Sequence, residues 1–380
     1  MKLLKAVLAA AMSCALLTGC SSASSSEKSA SASASENTPK EVTITDHADR
    51  KVKVPTDPKK VAILGILPLP AMLTVYLNSA DSIVAMEPAS MNAAKNSVLS
   101  ELYPDILKAS TDIMDGDDVN IESLAALEPD VVFYNAGDKQ DLEKLENAGL
   151  TAVAVSPVKW NYDCIKTYDE WMDLLDQIYP DHKQDREKLV DKYANDTYDE
   201  IQKKVKNVSD SDKQKVLFLF QYDDNTMITS SAKFFGQWWC DAVGAVNVAH
   251  DVPAENSNAK ITMEQVYDWN PDVIFITNFT KTTPDDLYNN AIGSDDWSSV
   301  KAVQDKRVYK MPLGTYRTYT PGVDTPMTLE WMAQAVYPDL FDYDVKSDVK
   351  DYYKTLYGVT LTDDQVSKMY TPNRSAGSMN

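Results

Sequence analysis

Histidine is nearly missing from this chain: there are three in 380 residues, His47, His182 and His250, too few and too far apart for a zinc centre or a Ser-His-Asp arrangement. Cysteine is scarce as well, and the four present, Cys14, Cys20, Cys164 and Cys240, show no metal-ligand spacing. Glycine numbers only twelve and never falls in G-x-G-x-x-G, G-x-S-x-G or a phosphate-binding loop, and H-E-x-x-H does not occur. These absences remove the usual catalytic constellations, and the chain reads as a binding protein rather than an enzyme. Cations are outnumbered, 37 Lys and Arg against 57 Asp and Glu, for a net charge of −20. So acidic a surface excludes nucleic acid and a broad contact with anionic lipid. Long hydrophobic runs are lacking too, since the apolar stretch at 6–17 is too short to span a bilayer.

That stretch follows Lys2 and Lys5 and ends in Leu17-Thr18-Gly19-Cys20. The charged start and short apolar core describe a secretory signal, and its end resembles the lipobox of bacterial lipoproteins. The resemblance implies that Cys20 is acylated, palmitate-like chains included, and opens the mature protein. Each buried acyl methylene contributes about 0.8 kcal/mol, so two or three chains anchor firmly. Residues 21–40 are dominated by Ser and Ala, with nothing large enough to fill a core. They predict a flexible tether reaching roughly 25 Å. The body is expected on the outer face of the cytoplasmic membrane, as a monomer.

Past residue 40 the chain exceeds the size at which one core keeps growing, and two domains are expected. Buried, parallel-type strands are predicted at 60–65, 83–86, 131–135 and 152–156, and again at 215–220, 273–277 and 307–311. Asn120-Ile121-Glu122 and Thr262-Met263-Glu264 each open a short helix, followed by Pro-Asp (129–130 and 271–272) and a hydrophobic strand. One copy per half predicts two pseudo-equivalent lobes. Between them, apolar residues at helical spacing over 185–208 predict a long amphipathic helix, which Tyr168–Tyr179 precedes as a shorter one ending at Pro180. The reading divides the chain into a signal at 1–19, the lipidated Cys20 and tether to 40, an α/β lobe at 41–182, a linking helix at 183–208 and a second α/β lobe with terminal helices at 209–380. Two Rossmann-like lobes on a single helical strut should rock slightly rather than snap shut.

In this order, the lipobox, the paired Glu…Pro-Asp segments, the linking helix, Gly244-Ala245-Val246-Asn247 and Tyr337-Pro338-Asp339 resemble the helical-backbone class of ABC-importer binding proteins for ferric siderophores, cobalamin and haem. The resemblance spans roughly residues 41–360. It implies a ligand cleft between the lobes, a permease with its ATPase subunits as partners, no cofactor, and a metal chelate, a ferric siderophore first, as ligand. It also implies that Glu122 and Glu264 dock against permease arginines. Cobalamin, haem or another metal complex remains the alternative. A bare metal ion is disfavoured by the histidine shortage.

Loops at strand ends build such clefts. Here they are 65–70, 86–91, 135–138 and 156–162 in the first lobe, and 222–225, 229–235, 278–279 and 315–320 in the second. Their aromatics and cations supply the candidate ligand residues: Arg317 first, with Tyr316 and Tyr319 beside it, then Trp160, Tyr222, Lys233 and Trp238. Arg317 suits an anionic chelate through forked hydrogen bonds. Trp238 and Trp239 point about 100° apart on a helix, so at most one faces a ligand. Cys164 and Cys240 form either one disulfide or two buried thiols.

Overall fold

The computed structural model describes residues 41–182 and 185–379; the signal, Cys20 and the tether lie outside the described residues. The two largest sheets among the described residues are four-stranded, parallel and built to one plan. In the first, the order across the sheet is Ile83–Met86, Val61–Ile63, Val131–Asn135, Ala152–Val155. In the second it is Val246–Asn247, Lys215–Leu219, Val273–Ile276, Val308–Lys310. Numbered along the chain, both are 2-1-3-4. Helices cover both faces, so the central strands are apolar without alternation, and all four residues of Val273–Ile276 are buried. The short edge strand Val246–Asn247 carries no hydrophobic run, which is why the periodicity passes over it.

The repeated segment fills the same place in each sheet, and its Pro-Asp has a structural task beyond ending a helix. Asp130 Oδ2 accepts the backbone N–H groups of Lys59 and Lys60 at 2.7 and 2.9 Å, and Asp272 Oδ2 accepts that of Lys215 at 2.8 Å. Each aspartate thus ties the third strand to the start of the first. The lysines answer: Lys60 Nζ donates to the Leu127 carbonyl and Lys215 Nζ to that of Trp269, at the ends of the two short helices. At the other ends of those helices, the Asn120 side chain accepts from Ser123 N–H, and Thr262 forms a capping box with Gln265.

The linking helix runs Asp185–Val205 and packs on Thr325–Val336, Phe235–Val243 and Cys164–Ile178. Gln202 Nε2 donates to the last carbonyls of Phe235–Val243, at Asp241 and Ala242 (3.0 and 2.8 Å). Gly244 ends that helix at φ +69°, where a Cβ would sit 2.7 Å from Val205 Cβ. One continuous hydrophobic cluster runs from Val61 through Ile201 to Val336, so the lobes share a core. Cys164 and Cys240 are both free and buried. No helix among the described residues is long and apolar enough to cross a membrane.

An N-terminal hairpin, Glu41–Thr45 with Lys51–Pro55, is a feature that the sequence reading does not contain. Its turn plugs into the first lobe. His47 Nδ1 accepts from Ser156 N–H (3.1 Å) while Nε2 donates to the Glu170 carbonyl (3.2 Å), the pattern of a neutral ring. Burial pushes His47 down from 6.5 to about 4. The sign follows: the unfolded chain takes up this proton below 6.5 and the folded chain only near 4, so stability is full above 6.5 and falls as pH drops between the two. By pH 5 the expected loss is about 2 kcal/mol. Following the His47 ring protons by NMR checks it, and a midpoint near 6.5 would refute the buried neutral ring.

Candidate functional site

A cavity of about 250 Å³ opens between the lobes. Its walls come from the carboxyl ends of strands in both sheets, where open α/β sheets place ligands. The first lobe contributes Gly65, Ile66, Leu67 and Pro68 after Val61–Ile63, Pro157 after Ala152–Val155, and Trp171. The second contributes Phe220 after Lys215–Leu219, Phe234, Phe235, Ser257, Phe279 after Val273–Ile276, Thr320 and Pro321. No charged side chain is among these, and Ser257 and Thr320 are the polar ones.

The second-lobe wall is an aromatic nest. Phe220 packs against Phe234 and Phe279 with centroids 4.9 Å apart in each case, edge to face with the first. Tyr319 closes it from behind, 5.4 Å from Phe234, its hydroxyl accepting from Gly236 N–H and its carbonyl from Trp239 Nε1. In the first-lobe wall, Gly65 has φ +67° and a Cβ there would lie 2.9 Å from Asn135 Cβ. The chain lies flat on the neighbouring loop only because this residue is glycine. Its N–H donates to Glu87, whose carboxyl burial pushes up from the usual range.

Tyr162 reaches across the cleft. The Tyr162 hydroxyl, from the first lobe, donates to Asn256 Oδ1 of the second at 2.5 Å, and its ring lies edge-on to Phe234 and Phe235. Asn161 and Tyr162 both take positive φ, 53° and 62°, to reach across. Nothing in the sequence marks this residue beyond its place in the 156–162 loop.

Of the expected loops, 65–70, 156–162, 229–235, 278–279 and 315–320 contribute to this cavity while 86–91, 135–138 and 222–225 do not, and none of the seven candidate side chains lines it. Arg317 is 1% exposed and does not line it. Its Nε and Nη2 donate to the carbonyls of Ala376 and Ser378, and its Nη1 to the Tyr316 hydroxyl. Tyr316 and Tyr319, in the same loop, are buried in the hydrophobic core. Trp160 packs edge-on to His47 in the first lobe. Tyr222 is buried between Asp295 and Trp297, with its hydroxyl donating to the first and accepting from the second. Lys233 pairs with Glu255 at the exposed rim. Neither tryptophan of the pair faces the cavity: Trp239 is core, and Trp238 stacks on Tyr198 of the linking helix. The residues that sequence reasoning passed over are mostly apolar, four phenylalanines with Ile66, Leu67 and Trp171, and carry no signal separating a cavity wall from a core.

The start of the 315–321 loop is held by the buried Asp324, whose Oδ2 accepts from Thr315 N–H and Oγ1 at 2.6 and 2.7 Å and whose Oδ1 accepts from the Tyr353 hydroxyl at 2.5 Å. Glu122 and Glu264 are exposed in the first turns of the two short helices, equivalent positions in the two sheets.

Residues 72–313, more than half of the chain, match the family model described as periplasmic binding protein. The chain belongs to that family. It is 27% identical to the molybdate-binding protein MolA of Haemophilus influenzae, over 86% of this chain and 93% of that protein. It is 24% identical to the Fe(3+)-citrate-binding protein YfmC of Bacillus subtilis, over 81% and 89%. A periplasmic solute-binding protein from Veillonella parvula has the same fold at TM-score 0.74 and 27% identity, over 90% of this chain and all of that one. Members of the periplasmic binding protein family bind substrates for transport. This chain is accordingly an extracytoplasmic solute-binding protein that takes up a small molecule and works with an ABC-transporter permease.

Proposed function

We propose that the chain captures a metal chelate with an extended apolar shell, a ferric siderophore first among them, and hands it to the permease while tethered through an acylated Cys20. The observation carrying this is the wall of Phe220, Phe234, Phe235 and Phe279 facing Ile66 and Leu67, with only Ser257 and Thr320 to satisfy polar groups. Such a wall suits a ligand that presents carbon outward and keeps its metal wrapped. A bare cation finds no cluster of three or more His, Cys, Asp or Glu among the described residues. The relative that binds iron as its citrate chelate supports the same class of ligand. Glu122 and Glu264, one per lobe and both exposed, are the docking charges for the permease.

The test is native mass spectrometry of residues 41–380 against ferric trihydroxamate and tricatecholate chelates, ferric citrate, cobalamin, haem and molybdate. A ferric chelate is expected to bind, and Phe279→Ala to weaken it by about 1–3 kcal/mol through the lost aromatic contact. Binding of molybdate alone, or indifference to Phe279→Ala, would overturn the reading.

A further inference from the structure

At about 250 Å³ the cavity falls below the roughly 300–1,000 Å³ in which small-molecule ligands are ordinarily enclosed. A second space of about 450 Å³ shares Phe279 with it, and Arg374, Gly377, Ser378 and Met379, from the segment 374–379 of this same chain, form part of its wall. That segment bridges the lobes. On the first-lobe side, Asn92 Nδ2, in the helix Pro88–Asn96, donates to the carbonyls of Ser375 and Ser378 at 2.8 and 2.9 Å. On the second-lobe side, Arg317 donates from Nε and Nη2 to the Ala376 carbonyl (3.3 and 3.1 Å) and from Nη2 to that of Ser378 (2.9 Å). Gly377 rests on the Thr280 carbonyl so closely that a Cβ would come within 2.0 Å of it.

The chemistry under the segment is that of an anion site holding neutral oxygens. The Arg317 guanidinium is 1% exposed, lies 4.8 Å over the Phe279 ring, and has no carboxylate paired with it among the described residues. Lys310 beside it is 7% exposed and held by three carbonyls, Thr277, Thr280 and Thr282, at 2.7–2.8 Å, again without a paired carboxylate among those residues. A buried cation is poorly compensated by dipoles alone, and a forked guanidinium bonds an oxyanion about twice as strongly as a neutral acceptor.

We propose that residues 374–379 are a built-in competitor for the ligand: in the free protein they strap the lobes together with their carbonyls on Arg317, and an anionic chelate binds by displacing them. The proposal rests on the chelate reading for its ligand but not for the strap itself.

Gly377→Ala and Asn92→Ala, made separately in residues 41–380, loosen the strap from opposite lobes, so a folding defect in one leaves the other. Phenylglyoxal labelling of Arg317, read by peptide mass spectrometry without ligand, should rise at least tenfold in each variant. Ferric citrate, which carries free carboxylates, should bind about tenfold tighter to each variant than to the parent, while a neutral ferric trihydroxamate gains less than threefold. Unchanged labelling in both variants overturns the strap. Raised labelling with no gain for ferric citrate, in a parent that binds it, overturns the competition. Failure of parent and variants alike to bind any chelate counts against the chelate reading, because the labelling reads the strap without a ligand.

Discussion

Charge reversal at both Glu122 and Glu264 to Arg abolishes uptake, while ligand affinity stays within about threefold. Both carboxylates are exposed in the first turn of a short helix and neither lines the cavity, so ligand affinity is expected to be insensitive to them. Glu264 stays ionised throughout the physiological range, since its own backbone N–H and the Thr262 hydroxyl hold its carboxyl below the usual carboxylate range. On the docking role proposed for these carboxylates, each reversal removes half of an interfacial charge pair and leaves a permease cation facing another cation, at about 2–5 kcal/mol per buried pair. Calorimetry of ligand binding alongside transport in permease-containing vesicles separates the two effects. Normal transport by the double variant, or loss of its ligand affinity, would remove the docking role from these positions.

Asp324→Ala lowers folding stability by about 3–5 kcal/mol and ligand affinity with it. Its carboxylate is the common acceptor for Thr315 N–H, Thr315 Oγ1 and the Tyr353 hydroxyl, all in the interior. Each buried donor left unsatisfied costs about 1–3 kcal/mol, so two or three orphaned together account for the range. Gly314 lies against the same carboxylate, its notional Cβ 2.2 Å from Asp324 Cγ. The start of the loop from Gly314 to Pro321 thus rests on Asp324, and Thr320 and Pro321 at its end line the cavity. Asp324→Asn, which keeps one acceptor, should lose about half as much. Urea denaturation of the three proteins decides it, and a loss below 1 kcal/mol for the alanine variant would show that the loop has other support.

The lobes were legible because their signals are local. Val131–Asn135, Ala152–Val155 and Val273–Ile276 are continuous β-branched and aromatic runs between polar breaks, and the structure places strands there within a residue of the reading. The helix Asp185–Val205 follows the apolar spacing, stopping at Val205 where the reading extended to 208. The hairpin Glu41–Thr45 with Lys51–Pro55 was not legible, since its residues alternate too weakly to stand out and its His47 is neutral only because a distant loop and helix enclose it.

The ligand wall divides differently. Strand ends named five of the loops that line the cavity, but which side chain in a loop turns inward depends on φ angles and on neighbours far along the chain. Tyr162 reaches Asn256 because two successive residues take left-handed backbone, a choice that no side-chain pattern announces. Arg317 carries the clearest sequence signal for an anion, and its guanidinium is claimed by the carbonyls of Ala376 and Ser378, uncharged backbone atoms that are identical for any residue type. The sequence by itself determined two pseudo-equivalent α/β lobes on a helical strut, through hydrophobic period and helix caps acting over a few residues at a time. The tertiary structure alone decided that four phenylalanines and Trp171, rather than Tyr316, Tyr319, Tyr222, Trp160 and Trp238, supply the aromatics of the cavity wall, because burial and hydrogen-bond partners are settled only when segments remote in sequence meet.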